Sequence, residues 1–209
     1  MEFLVTMTTH VPEGTSAGAV QQIRDREAAR SRELAAQRHL LRLWRPPLMP
    51  GEWRTLGLFA ADDGADLEDV LASMPLRVWR TDDVTPLRPH PNDPARRAGP
   101  PRSPAAESGD MAAEFLTTFV ITVPEGTPAV VVDDASCRES QRTRDLAGQG
   151  NLIRLWTLPG EGRSLGLWRA GDPAGMEVIL SSLPLASWMS VRTTPLTPHP
   201  SDPALTSGS

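Results

Sequence analysis

Apolar and polar residues alternate at the start of the chain. Phe3, Val5 and Met7 fall on one face and Leu4, Thr6 and Thr8 on the other, the period of a strand half-buried in a sheet. A Pro-Glu-Gly-Thr turn ends that strand. From Ala17 to Gln37 the pattern lengthens to that of an amphipathic helix, rich in Ala, Arg and Glu and free of interior proline, with Ser16 or Thr15 placed to cap it. Leu40 to Trp44 predicts a short apolar strand into which Arg42 is inserted. A Pro/Gly-rich turn and a strand around Thr55–Ala60 complete a hairpin. A second helix is expected over about Asp66–Ser73, and a last strand from beyond Met74-Pro75 to Val84. The closing run Thr85–Pro94 is too rich in proline for a helix or a central strand, so it is expected to extend as a polyproline-like tail across a neighbouring surface.

The whole pattern then repeats. Glu2-Phe3-Leu4 returns as Glu114-Phe115-Leu116, Val11-Pro12-Glu13-Gly14-Thr15 as Val123-Pro124-Glu125-Gly126-Thr127, and Leu43-Trp44 as Leu155-Trp156. Leu56-Gly57-Leu58 returns as Leu165-Gly166-Leu167, and the tail Thr85–Pro94 as Thr194–Pro203. The second copy predicts a strand over Phe115–Val123, a helix over Ala129–Ala147 stopped by Gly148, strands at Leu152–Trp156 and Ser164–Arg169, a helix over Pro173–Ser182 and a last strand to Val191. A repeat of this length is a domain rather than a solenoid unit. The order β-α-β-β-α-β is the split-βαβ pattern. The expected class is α+β: two ferredoxin-like (βαββαβ) domains, each a four-stranded antiparallel sheet with helices on one face, packed through their sheet faces. The expected boundaries are 1–94 for the first domain, 95–111 for a flexible Arg/Gly/Pro/Ala/Ser linker, and 112–205 for the second.

Composition narrows the chemistry. A net charge of −5 argues against a phosphate-binding surface, so no nucleic-acid partner is expected. The basic residues are all arginine and tyrosine is absent, which excludes a lysine Schiff base and a tyrosine acid or base. The single cysteine, Cys137, has no intrachain partner. Four dispersed histidines offer no metal-ligand spacing, so no metal and no cofactor are expected. No apolar run has the length of a membrane span, and Met1 leads into a strand rather than a charged start and hydrophobic stretch; a cytoplasmic protein is expected.

Glu27 in the first long helix, Leu41-Arg42-Leu43-Trp44-Arg45, Ser73-Met74-Pro75-Leu76 and His90-Pro91 together resemble the muconolactone delta-isomerase family, over essentially the whole of both copies. The resemblance implies a proton-shifting isomerisation in aromatic-compound catabolism. A base would remove a proton from an unsaturated lactone bearing a carboxymethyl group and return it one double bond away. A carboxylate in a largely apolar pocket suits that task, because desolvation raises its pKa toward working pH. The resemblance points to Glu27 as that base, and the repeat to Glu139. Arg24, one turn earlier, stands where the family has a lysine, and Ser136 replaces it in the second copy, which suggests that one copy is weakened or retuned.

Other residues keep two readings each. Glu27 is the base or a solvated glutamate paired to Arg24 or Arg30. Arg42 and Arg154 face solvent or point at an acidic ligand. Trp44 and Trp156 belong to the core or wall a ligand pocket. His90 and His199 carry protons or are hydrogen-bonded parts of a structural tail. At the level of function, an isomerase leads; a non-catalytic ligand-binding or scaffold protein, and a monooxygenase or cyclase acting on polyketides, are the alternatives. The expected partners are a small lactone or other acidic ligand and, through self-association of the two copies, a compact chain or a homo-oligomer. No membrane partner is expected.

Overall fold

A computed structural model of the chain describes residues 1–96 and 112–206. Its elements are β1 (Glu2–Thr9), α1 (Ala17–Ala36), β2 (Leu40–Arg45), β3 (Arg54–Ala60), α2 (Gly64–Ala72) and β4 (Arg80–Pro89), then β5 (Ala113–Ile121), α3 (Ala129–Gly148), β6 (Leu152–Thr157), β7 (Arg163–Ala170), α4 (Pro173–Ser181), β8 (Met189–Pro198) and a short closing helix, α5 (Pro203–Thr206). Each copy is therefore βαββαβ, and both domains are ferredoxin-like. Of the expected linker 95–111, Ala95 and Arg96 lie in a 3-10 turn and the rest falls outside the described residues.

The chain divides into two compact units. Unit one comprises Met1–Leu87 and the chain from Thr197 onward; unit two comprises Arg88–Leu196. The repeat and the compact unit thus part company at their ends, because each unit is completed by the tail of the other copy. In unit one the sheet order is β4-β1-β3-β2, all antiparallel, and Thr197 and Pro198 at the end of β8 pair with Arg45 and Trp44 of β2. In unit two the order is β8-β5-β7-β6, and Arg88 and Pro89 pair with Thr157 and Trp156 of β6.

The tails are where the expectation fails. They were expected as polyproline-like segments beyond Val84 and Val191, yet β4 continues to Pro89 and β8 to Pro198. Pro86 sits opposite Phe3 and Pro195 opposite Phe115. Both strands flank a single neighbour at those positions, so a residue without an N–H is tolerated there.

In unit one, alternate strand residues Phe3, Val5, Met7, Leu43 and Phe59 pack with Leu34 of α1 and with Leu67, Val70 and Leu71 of α2, which puts both helices on one face of the sheet. Unit two repeats this with Phe115, Phe119, Leu155 and Trp168 against Leu146 of α3 and Met176 of α4. Burying one such side chain contributes roughly 1.5–3 kcal/mol, so these clusters dominate the stability of each unit. The repeated Leu-Gly-Leu has a steric reason: a Cβ on Gly57 would collide with the Phe59 ring, and one on Gly166 with the Trp168 indole. The glycine lets the aromatic ring lie back along its own strand.

Ser16 caps α1 by accepting from the Ala19 N–H, as expected. The second long helix ends later than expected. Gly148 is still helical, and the left-handed residue that follows the C-cap is Gly150 (φ 78°), whose counterpart in the first copy is Arg38 (φ 62°). Among the described residues no helix is long and apolar enough to cross a membrane.

One tail residue in each unit fastens it. Asp202, fully buried, accepts from Arg42 Nη2 at 3.0 Å and from the Leu43 backbone N–H at 3.1 Å. Asp93 makes the same bonds to Arg154 Nη2 and the Leu155 N–H, at 3.2 and 3.1 Å. Removing one partner of such a pair strands the other and typically costs about 3–5 kcal/mol. Asp202→Ala is accordingly expected to destabilise unit one by about 3 kcal/mol and to speed amide exchange at His199 and Leu43. A urea unfolding curve and hydrogen exchange check this; an unchanged midpoint contradicts it.

Candidate active site

Each unit holds a cavity on the helix-bearing face of its sheet, of about 350 Å³ in unit one and about 320 Å³ in unit two. Unit one's cavity is bounded by Glu27 and Arg24 of α1, Arg45 of β2, Arg80 of β4, Trp53 and the tail residue His199. Unit two's contains Glu139 and Ser136 of α3, Trp168 of β7, Met189 of β8 and the tail residue His90.

Glu27 is held from two sides. Its Oε2 accepts the Leu76 backbone N–H at 2.8 Å, and its Oε1 accepts from Arg80 Nη1 at 3.2 Å. Arg80, whose side chain is 2% exposed, is shared with Asp82, whose carboxylate lies 2.6 Å from Arg80 Nε and 2.8 Å from Arg77 Nη1. Burial is the largest influence on Glu27 and raises its pKa above the ordinary carboxylate value; the Leu76 N–H and Arg80 pull it back, and Asp82 pushes with burial. Glu139 accepts the Leu185 N–H at 3.1 Å, and its pKa is also raised, by burial opposed only by that hydrogen bond. The expected pairing of Glu27 with Arg24 or Arg30 does not form: Arg30 bonds Glu33 and Ser73, and Arg24 lies over the Trp53 ring at 4.4 Å.

The family model for muconolactone delta-isomerase matches residues 1–93 and 113–202. The chain belongs to the muconolactone delta-isomerase family. It is 30% identical over 87 residues to muconolactone delta-isomerase of Cupriavidus pinatubonensis, covering 42% of this chain and 95% of that protein. To muconolactone delta-isomerase 1 of Acinetobacter lwoffii it is 32% identical over 87 residues, with 42% and 91% covered. Those relatives are each the length of one copy. Among solved structures, a heme-binding protein from Thermus thermophilus aligns over 99% of this chain and 95% of its own, with a TM-score of 0.59 and 11% identity, a likeness of fold alone.

Within this family frame the tail histidines are exchanged: His199, from the second copy, faces Glu27's cavity, and His90, from the first, faces Glu139's. Each ring accepts a backbone N–H at Nδ1, from Ser201 and Asn92 respectively, both at 3.1 Å. In the neutral ring the proton therefore sits on Nε2, which makes that nitrogen a donor. Burial lowers both pKa values. That of His90 is partly restored by Asp93, whereas Arg45 and Arg24 add to burial at His199 and bring it to about 4.

Arg42 and Arg154 lie outside both cavities. They serve the tail carboxylates and stack on Trp44 and Trp156 at 4.7 and 4.8 Å, and both indoles are fully buried beneath them. Sequence reasoning overlooked Arg45 and Arg80. Neither recurs, since Thr157 and Met189 take their places, and a search for repeated residues discards both. Cys137 is exposed. Among the described residues, no group of three or more His, Cys, Asp or Glu is arranged to hold a metal ion.

The two titrating types act in opposite directions on stability. A histidine whose folded pKa is below its unfolded one stabilises the fold above the unfolded value of 6.5, and that contribution is lost as pH falls from 6.5 through about 4. A glutamate raised by folding contributes below its ordinary value of 4.5 and loses that contribution as pH rises through its folded pKa. A carbon-13 NMR titration is therefore expected to place the His199 midpoint at about 4. A midpoint near 6.5 would mean that the ring is not held in the cationic cavity.

Proposed function

We propose that unit one is an isomerase site that moves a proton and a double bond in a small unsaturated lactone bearing a carboxymethyl group, a step in aromatic-compound catabolism. The observation that carries this reading is a desolvated glutamate, Glu27, in a cavity it shares with Arg24, Arg45 and Arg80.

In this reading Glu27 takes the proton from the ring carbon whose anion is delocalised onto the lactone carbonyl. The C–H electron pair becomes a new C=C bond, the former double bond's pair moves to join the α-carbon to the carbonyl carbon, and the carbonyl π pair passes to oxygen, giving a dienolate. The same carboxyl group then returns the proton one double bond away, so atoms and charge balance without a co-reactant. Burial favours this base because it raises the proton affinity of the carboxylate, and the Leu76 N–H keeps one oxygen fixed while the other works. The neutral His199 ring offers Nε2–H to the dienolate oxygen, a donor whose low pKa keeps it uncharged across the physiological range. Arg24 and Arg45 bind the substrate carboxylate, where guanidinium suits the planar anion. Arg80 holds Glu27 in place.

Cavities of 350 and 320 Å³ lie at the small end of the range for ligand sites. That supports a single-ring substrate over the polycyclic one a polyketide monooxygenase or cyclase would need.

Proton NMR of muconolactone in D₂O with the purified protein tests the reading. Double-bond migration is expected, and Glu27→Gln should slow it by about 10²-fold or more. If muconolactone is unchanged beside folded protein, or Glu27→Gln retains the full rate, the reading is overturned.

A further inference from the structure

The two cavities share their frame but not their charge. At each of three positions where unit one's cavity carries an arginine, unit two carries an uncharged residue: Ser136 for Arg24, Thr157 for Arg45 and Met189 for Arg80. Among the described residues, no cationic side chain other than His90 borders unit two's cavity, and burial lowers the pKa of that ring and favours its neutral form. A carboxylate entering it would meet Glu139 with no counter-charge, a desolvation cost that nothing offsets.

The remaining wall is suited to a different guest. Phe119 meets Trp168 edge to face, with centroids 6.1 Å apart, and Leu155, Leu183 and Met189 add apolar surface. Small hydroxyls at Ser136, Thr143 and Ser164 border it. The Trp168 Nε1–H is buried and has no acceptor among the described residues. An unsatisfied buried donor of this kind costs about 1–3 kcal/mol; the groups at the cavity wall that can donate to a ligand carbonyl are the His90 Nε2–H and the Ser136 and Ser164 hydroxyls.

We propose that unit two's cavity is a second, separate binding site, selective for an uncharged single-ring ligand with a carbonyl acceptor, such as a neutral lactone, while unit one's cavity selects the anionic counterpart. The duplicated chain then carries two specificities rather than two copies of one. The binding claim does not depend on whether unit one turns over a lactone.

Each cavity has its own tryptophan reporter, Trp53 in unit one and Trp168 in unit two. The experiment is a titration of nitrogen-15 tryptophan-labelled full chain, followed at the indole N–H signals, with two probes. One is muconolactone; the other is the same butenolide ring with a methyl in place of the carboxymethyl group. The methyl butenolide is expected to shift the Trp168 signal and muconolactone the Trp53 signal. Ser136→Arg, a change at the exposed mouth, is expected to tighten muconolactone binding at Trp168 by about tenfold or more, the scale of one charge-assisted contact. The proposal is overturned if muconolactone shifts Trp168 in the unaltered chain at the same or lower concentration than the methyl butenolide. It is equally overturned if the methyl butenolide leaves Trp168 unmoved up to its solubility limit, or if Ser136→Arg folds and gains nothing.

Discussion

A buried carboxylate on each tail is the contact on which both cavities depend. Asp202 and Asp93 each join an arginine and a backbone N–H of a short strand, and that arginine lies flat on a buried tryptophan. Because the carboxylates are fully desolvated, the bond is geometrically strict: a displaced tail leaves a charge without solvent or partner. Holding the tail holds the histidine three residues before it. His199 and His90 take their places in the cavities through that anchor, reinforced by backbone bonds from their own N–H groups to Leu43 and Leu155.

This organisation gives duplication a chemical consequence. Each unit draws its glutamate from one copy and its histidine from the other, so neither cavity is complete in a single copy's sequence. Divergence could then proceed cavity by cavity while the tails stayed alike. Three positions changed from arginine to neutral residues, or the reverse, and they are the ones that set the sign of the local field. The glutamate, the backbone N–H that fixes it and the histidine remained in both.

The fold was legible from the chain because it rests on strong periodic signals. Phe3, Val5 and Met7, repeated as Phe115, Thr117 and Phe119, mark a strand in either copy, and the helix after Ser16 begins where its cap says it should. Glu27 and Glu139 could be picked out by family resemblance and repetition. The rest was hidden for physical reasons. Proline counts argued against a strand at Thr85–Pro89, but a strand with a ladder on only one side tolerates proline. Asp93 and Asp202 were visible as a repeated residue, yet their role depends on a contact some 160 residues distant for Asp202. Arg42 and Arg154 could be read as facing solvent or an acidic ligand, and instead hold the tails. Arg80 and Arg45 break the repeat, so symmetry concealed them.

The central claim is that the cations of the first copy face the histidine of the second. The most direct measurement is the NMR titration of His199 in Arg24→Gln and Arg45→Gln, with Ser136→Gln as the control in the other cavity. Removing either repelling guanidinium is expected to raise the His199 midpoint from about 4 toward 6.5, and the control to leave it alone. A His199 midpoint indifferent to both arginines, or moved by the control, would contradict the exchanged-tail account of the two cavities.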